Sequence, residues 1–497
     1  MTESLSPPTT RERPDTSVPW RWTVLLLTGL ALLLLGLRLG GPSNLTDNDQ
    51  ERPASYVLDA LKNGHWAVQY DWTGDITSKP PLYTWVVAGL SLVWGEASRW
   101  TLYLPCTLAM LGSALLVARS ARAAFGSRAG LLAGVFLLAN PLSAKLVALA
   151  RTDALFTFCV TLTATLAHAA WARNRAGAGG GWIQAWLAAT LATLTKGPLG
   201  LVLGFAGLLA AFRERRDGTR APWSRAHLAG LALWVALAGG WFWLAYRAAG
   251  DPLIAKMIRS ELVGHAVNRG GAIPGTGLVL VPAYFLSRFV PWSLLAFWGL
   301  GLAFRRPETR PEARLLQRFA AAWLVTGIVV LGLASHQRGD LVSPLMPAGA
   351  LLAAIPAARW VAAWPLPRLM TVAAGVPLLF SLGIHAQHLL HRRAIHTESE
   401  GLRRLALDFL RNGGDPERLE HLDAPYTLQF QLGTMRRAIG FEEAAQRLRT
   451  NATVAVAVSD IARLESLLGP ESAQLRTVAS WPPGAEARVQ IVTRGSR

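Results

Sequence analysis

Three stretches of this chain, Val24–Leu37, Leu104–Ala118 and Leu228–Ala245, are almost continuously apolar. Runs of this kind, carried by their flanks to roughly 18 residues, read as helices that cross a lipid bilayer. Strands of a membrane barrel would alternate polar and apolar residues instead of running unbroken. Composition agrees: 52% of the 497 residues are hydrophobic and 16% are charged, against about 25% charged in an average soluble domain. Too much apolar surface is present to hide in soluble cores. The chain is therefore expected to be an all-α polytopic membrane protein, which excludes a soluble enzyme, a disordered chain and a disulfide scaffold. Cys106 and Cys159 lie inside apolar runs and read as free buried thiols.

The formal charge of +18 is unevenly spread. Residues 391–497 hold 15 basic and 13 acidic residues, and the first 390 hold 34 and 18. The excess sits between apolar runs, as the positive-inside rule and anionic lipid contact require, and not on a soluble module that would bind nucleic acid. Arginine clusters at Arg119–Arg128, Arg173–Arg175, Arg213–Arg225, Arg305–Arg318 and Arg359–Arg368 mark expected inner loops. Pairing the apolar stretches between them gives about eleven spans, with eleven to thirteen as the range and two on either side of a kink at Lys196–Pro198. Leu82–Trp94 is short and is expected to be half-buried. Residues 1–21 form a cytoplasmic tail, 22–387 the membrane domain with a large outer loop at 40–81, and 388–497 an extracytoplasmic domain. That last piece reads as a small α/β module, with helices at Leu402–Leu410 and Glu442–Leu448 and strands at Thr453–Val458 and Ala487–Thr493.

Polar groups that oppose this topology carry the functional signal. The five lysines, Lys62, Lys79, Lys145, Lys196 and Lys256, all fall in expected outer segments. So do Asp47, Asp49, Glu51, Asp71, Asp75, Arg151, Asp153, Arg259, Glu261, His265, Arg269, His336 and Arg338. Sharing one side of the bilayer, they can converge on one cavity. Several cations with a few carboxylates suit an anionic lipid headgroup: the cations neutralise phosphate, and a carboxylate takes a proton from a hydroxyl. The Pro80–Pro81 pair holds an extended segment that places Lys79 at headgroup depth. His385, His388 and His391 follow one another at helix spacing, but without a nearby carboxylate they read as a helix-end interface group rather than a metal site. The 20 tryptophans fit interfacial belts.

The order of these segments resembles a known family. "DQER" (Asp49–Arg52), "NGHW" (Asn63–Trp66), "KPPLYTW" (Lys79–Trp85), "ARTD" (Ala150–Asp153) and "TKGP" (Thr195–Pro198) follow in sequence. "SELVGHAVNR" (Ser260–Arg269), "YFLSRFVPWS" (Tyr284–Ser293) and "SHQRGDLVSPLMPA" (Ser335–Ala348) come after them. In that order the first 350 residues resemble the GT-C glycosyltransferases of the protein O-mannosyltransferase and aminoarabinose (lipid A) transferase type. Gln50 stands where the family usually has a second acid, His265 where it has an outer-loop arginine, and Leu341 where it often has tyrosine. These departures leave the sugar and the acceptor open.

The resemblance implies a sugar moved from a polyprenyl-phosphate carrier to a lipid, glycan or protein acceptor at the outer face of a bacterial cytoplasmic membrane. It implies Asp49 as the base, assisted by Asp153. Lys79, Arg259, His265, Arg269 and Arg338 would bind the donor phosphate. Asp47 and Glu51, which could substitute for the second acid, and Lys196 are other candidates. No cofactor and no nucleotide is called for; a divalent metal is left open, because lysine and arginine can stabilise a departing phosphate. The competing reading is a transporter or flippase of an anionic lipid, which kinked helices and intramembrane cations also suit.

Overall fold

The computed structural model describes residues 17–41, 45, 48–147, 149–178, 180–215, 222–263, 275–334, 337–391, 393–484 and 487–494. Among these, seven helices are long and apolar enough to cross a membrane. They are Trp20–Gly40 (α1), Arg99–Phe125, Thr152–Arg175, Ala226–Ala249, Pro311–Leu333, Gly339–Trp360 and Leu366–His391. Shorter helical pieces lie among them in the chain. These are Ser127–Leu138 followed by Pro141–Leu146, then Trp182–Lys196, then Leu199–Phe205 continued to Glu214, and finally Gly277–Arg288 followed by Ser293–Arg305. Between the first two long helices lie Asn48–Asn63 (α2) and Leu82–Trp94 (α3).

Local chemistry explains the breaks. Arg99–Phe125 (α4) opens with a capping box, in which the Ser98 N–H donates to Thr101 Oγ1 at 2.9 Å and Ser98 Oγ accepts from the Thr101 N–H. Asn140 caps Pro141–Leu146 (α5) by accepting from the Ser143 N–H at 2.9 Å. Trp182–Lys196 (α6) stops at Gly197, whose φ of +84° is left-handed, and Pro198 starts the next piece. The expected kink is thus a full helix break. Helices approach closely through small residues: a Cβ at Gly299 would strike the Leu352 carbonyl.

The two ends of the bundle are chemically distinct. At one end Arg122 donates to the Val18 carbonyl, Arg310 to the Ala124 carbonyl, and Arg128 to the Val361 and Trp364 carbonyls. Glu214 joins Arg175 and Arg318 there. These arginines come from the clusters expected on the inner face. At the other end Arg99 donates to the Leu39 and Gly41 carbonyls, so α1 leaves where α4 enters. Between them α3 cannot be a crossing. Its 13 residues are about 20 Å long, and it lies against the first turns of α4, with Tyr83 Oη donating to the Leu102 carbonyl and Ser91 Oγ to Thr101 Oγ1.

The C-terminal residues form the small α/β module. Arg393–Arg411 (α7) leads into a four-stranded sheet in the order β1-β2-β4-β3, where β1 is Leu419–Leu422, β2 Thr453–Ala457, β3 Leu475–Trp481 and β4 Val489–Arg494. β1 and β2 are parallel and the other pairs antiparallel. Tyr426–Leu432 (α8), Phe441–Arg449 and Val458–Leu468 complete it. The module follows Leu366–His391, whose end lies beside Gly41, and so sits at the Arg99 end of the bundle.

Candidate active site

At that same end, three carboxylates and four cations from four separate segments meet. Asp49 stands in the first turn of α2, where the helix dipole favours an anion. Pro53 lacks the N–H that would otherwise bond the Asp49 carbonyl. Arg338 Nη2 lies 2.5 Å and Arg151 Nη1 3.8 Å from Asp49 Oδ2. Arg151 is the hub: its Nε is 3.1 Å from Asp153 Oδ2 and its Nη1 2.8 Å from Asp340 Oδ2. Lys196 Nζ holds Asp153 Oδ1 at 2.5 Å, and Lys145 Nζ holds Asp340 Oδ2 at 2.7 Å.

Each group is placed by a visible device. Lys196 is the last residue of α6, where the exposed carbonyls favour a cation, and its ammonium also lies 5.6 Å from the Phe156 ring. Lys145 is carried by the capped α5. The loop bearing Arg151 is pinned from α4: Thr107 Oγ1 donates to the Val147 carbonyl at 2.8 Å and the Cys106 thiol to the Leu149 carbonyl at 3.0 Å. This gives Cys106 a structural use, and both cysteines are free and buried. Gln50, one of the three departures from the family pattern, accepts from the Ala150 N–H at 3.3 Å.

Exposure separates the carboxylates. The Asp153 and Asp340 side chains are 2% and 9% exposed, whereas Asp49 is 40% exposed. Only Asp49 can meet an incoming group without the cluster opening. The hydrogen bond from Arg338, followed by the charge of Arg151, outweighs partial burial and holds the Asp49 carboxyl below the usual carboxylate range. It is ionised at neutral pH.

Of the residues singled out from sequence, Asp49, Asp153, Lys196 and Arg338 come together here. Lys79 lies in the turn before α3, its carbonyl accepting from Thr77 Oγ1 at 3.0 Å. Arg259 is exposed on the helical segment Ile254–Val263. Glu51 faces away from the cluster, toward Thr427 of the C-terminal module. Asp47, His265 and Arg269 lie outside the described residues. Asp340 is missing from the sequence-derived set; its one signal is an acid two residues after Arg338 in the segment that already supplied a candidate. Among the described residues no group of three or more His, Cys, Asp or Glu is placed to hold a metal ion.

Residues 78–243 match the model of the dolichyl-phosphate-mannose-protein mannosyltransferase family. That span carries Lys79, Lys145, Arg151, Asp153 and Lys196. Among the solved structures that resemble the chain are two of one protein. The structure of ArnT from Cupriavidus metallidurans bound to undecaprenyl phosphate is 18% identical, with a TM-score of 0.74 over 96% of this chain and 98% of that one. The apo structure of the same protein is 18% identical, with a TM-score of 0.72 over 94% and 97%. The fold is that of the GT-C glycosyltransferases. The resemblance read from the motif order is borne out. Curated protein sequences gave no match. The family match stops short of both Asp49 and Arg338, so the outer half of the cluster rests on geometry and motif order.

Proposed function

We propose that this protein moves a sugar from a polyprenyl-phosphate carrier to a hydroxyl or phosphate acceptor, by direct displacement with inversion, at the outer face of a bacterial cytoplasmic membrane. The observation that carries the reading is the cluster itself: four cations against three carboxylates, with the most exposed carboxylate ionised. One positive charge is left over for a phosphate, and one carboxylate is available to take a proton.

In this reading Asp49 accepts the acceptor's proton as its oxygen attacks the anomeric carbon. The new C–O bond forms as the C–O bond to phosphate breaks, and the electron pair leaves with the prenyl phosphate. Charge gathers on that phosphate in the transition state, where preorganised Lys and Arg groups are worth most. Arg151, Arg338, Lys145 and Lys196 ring the site; Lys79, Arg259, His265 and Arg269 are the further candidates for phosphate contact. Asp153 orients Arg151 and Lys196. The match to a structure described as bound to undecaprenyl phosphate supports a prenyl-phosphate donor. The family match, to enzymes named for a dolichyl-phosphate sugar, supports the same donor class. Arginine placement and the position of the C-terminal module at the end opposite the Arg–Glu214 group support the outward orientation.

The test uses purified protein with a radiolabelled prenyl-phosphate sugar and a membrane extract as acceptor source. Label transferred to an acceptor supports the reading; translocation without cleavage supports the flippase instead. The Asp49→Asn variant should lose about 10²–10⁴-fold in transfer rate. Full activity in that variant removes Asp49 from the chemistry.

A further inference from the structure

Residues 49, 50 and 51 are tied to three different bodies. Asp49 reaches Arg338, Gln50 reaches the Ala150 N–H beside Arg151, and Glu51 reaches the C-terminal module. Glu51 is 4% exposed. Its Oε1 accepts from the Thr427 N–H at 3.0 Å and from Thr427 Oγ1 at 3.1 Å. That N–H belongs to the first turn of α8, one of the donors a helix leaves without an internal partner. A carboxylate taken out of water is costly unless it is hydrogen-bonded, so this contact is enforced rather than incidental. The rest of the clasp follows the same line. Trp72 stacks on Tyr426 with ring centroids 5.0 Å apart, the Ala438 N–H donates to the Trp72 carbonyl at 2.8 Å, and Asn63 Nδ2 donates to the Met435 carbonyl at 3.3 Å.

We infer that the C-terminal module sets the position of Asp49 through α2, with Glu51 and Thr427 as positioning residues for sugar transfer. This rests on Asp49 acting as the base. The lever is short: Glu51 is two residues from Asp49 on the same helix, and a misplacement of about 1 Å at a reacting group can cost on the order of 10²-fold in rate. Releasing Glu51 lets the first turn of α2 shift, and the 2.5 Å contact from Arg338 lengthens. Among the described residues the charged groups that act on Asp49 include Arg338, Arg151 and Asp153, and the loss of Arg338 contact leaves the carboxylate easier to protonate.

The experiment compares Glu51→Ala, Glu51→Gln, Thr427→Val and Asp49→Asn in the full-length protein, with rates normalised to folded enzyme. Glu51→Ala should lower kcat about 10–100-fold with donor KM nearly unchanged, and should move the acidic limb of the pH profile to higher pH. Glu51→Gln keeps a carbonyl oxygen for the Thr427 N–H and should restore most of kcat and the original limb. Thr427→Val removes only the hydroxyl bond, should fall between these, and reads the same limb if Glu51→Ala does not accumulate. A merely structural contact would lower the amount of folded protein and its melting temperature while leaving normalised kcat and the limb as in the wild type. That result, beside an inactive Asp49→Asn, overturns the positioning role and leaves the transferase reading intact. A fully active Asp49→Asn overturns the transferase mechanism instead.

Discussion

Arg151 is the residue whose loss the structure makes most consequential, and Arg151→Met is the cleanest test because it keeps an unbranched apolar stem while removing the charge. The guanidinium lies 3.1 Å from Asp153, 2.8 Å from Asp340 and 3.8 Å from Asp49, and its side chain is 15% exposed. At an effective dielectric of about 20, a pair at these distances attracts by about 4–6 kcal/mol. Desolvation of the buried ions takes back several kcal/mol each, so the cost of removing one partner is about 3–5 kcal/mol. The Asp49 pair adds least, because that carboxylate is well exposed and screened. Lys145 and Lys196 stay on Asp340 and Asp153, which puts the expected loss toward the lower end, about 3 kcal/mol. Thermal unfolding in detergent reads that term. Transfer kinetics read a second one: only about 1.4 kcal/mol felt at Asp49 or at the departing phosphate is tenfold in kcat. Arg151→Lys should recover little, since one ammonium cannot occupy the Nε and Nη1 positions together. An Arg151→Met protein that melts and turns over like the wild type would refute the hub argument.

The other expectations are independent of that one. Arg338→Gln removes the main cause of the depressed Asp49 pKa; the carboxylate is needed ionised, so activity lost as pH falls should be lost at higher pH in the variant, read as the acidic limb of kcat/KM. Glu214→Gln leaves Arg175 and Arg318 facing each other across a side chain that is fully buried; unfolding should become easier by about 3–5 kcal/mol while KM and kcat per folded molecule hold. Gly401→Ala places a Cβ inside the Trp481 ring; overpacking of this kind costs about 1–3 kcal/mol, and protease should cut the C-terminal module sooner.

Features written within one helix length were legible in the sequence. The long apolar runs, the Lys196–Pro198 break and the half-buried Leu82–Trp94 each depend on neighbours a few residues away. Helices at Arg393–Arg411 and Phe441–Arg449 and strands β2 and β4 were readable for the same reason. β1 was not: Leu419–Leu422 is four residues long and carries Glu420 and His421, so no alternation can show. α2 was not legible either. Its composition is polar and Pro53 interrupts it, yet Ala54–Ala60 is buried throughout, because α3 and α8 cover it from either side. The partner of Glu51 is 376 residues away, beyond any spacing argument. The charged candidates converged where motif order could anticipate it. Asp340 was missed because a lone acid beside an arginine looks like an ordinary surface pair.

The same chemistry at the two ends of the bundle serves opposite purposes, and exposure decides which. Glu214 between Arg175 and Arg318 is a carboxylate with two guanidiniums, fully buried. Nothing can reach it, so it can only hold Leu199–Glu214 against Thr152–Arg175 and Pro311–Leu333. At the Arg99 end Asp153 and Asp340 repeat that buried arrangement around Arg151, but the network continues one step further, to an aspartate that is 40% exposed. The buried pairs fix the arginine, and the arginine then presents a preorganised charge to whatever meets Asp49. A site built that way spends no reorganisation energy when charge develops on a leaving phosphate. Burying Asp49 as fully as Glu214 would add a desolvation cost of several kcal/mol, and leaving it open keeps an ionised carboxylate within reach of an incoming group. Lys145→Met tests this step: Asp340 would keep Arg151 and the fold would survive, while donor KM should rise as the surplus positive charge disappears. An unchanged KM would mean that the surplus charge does not face the donor.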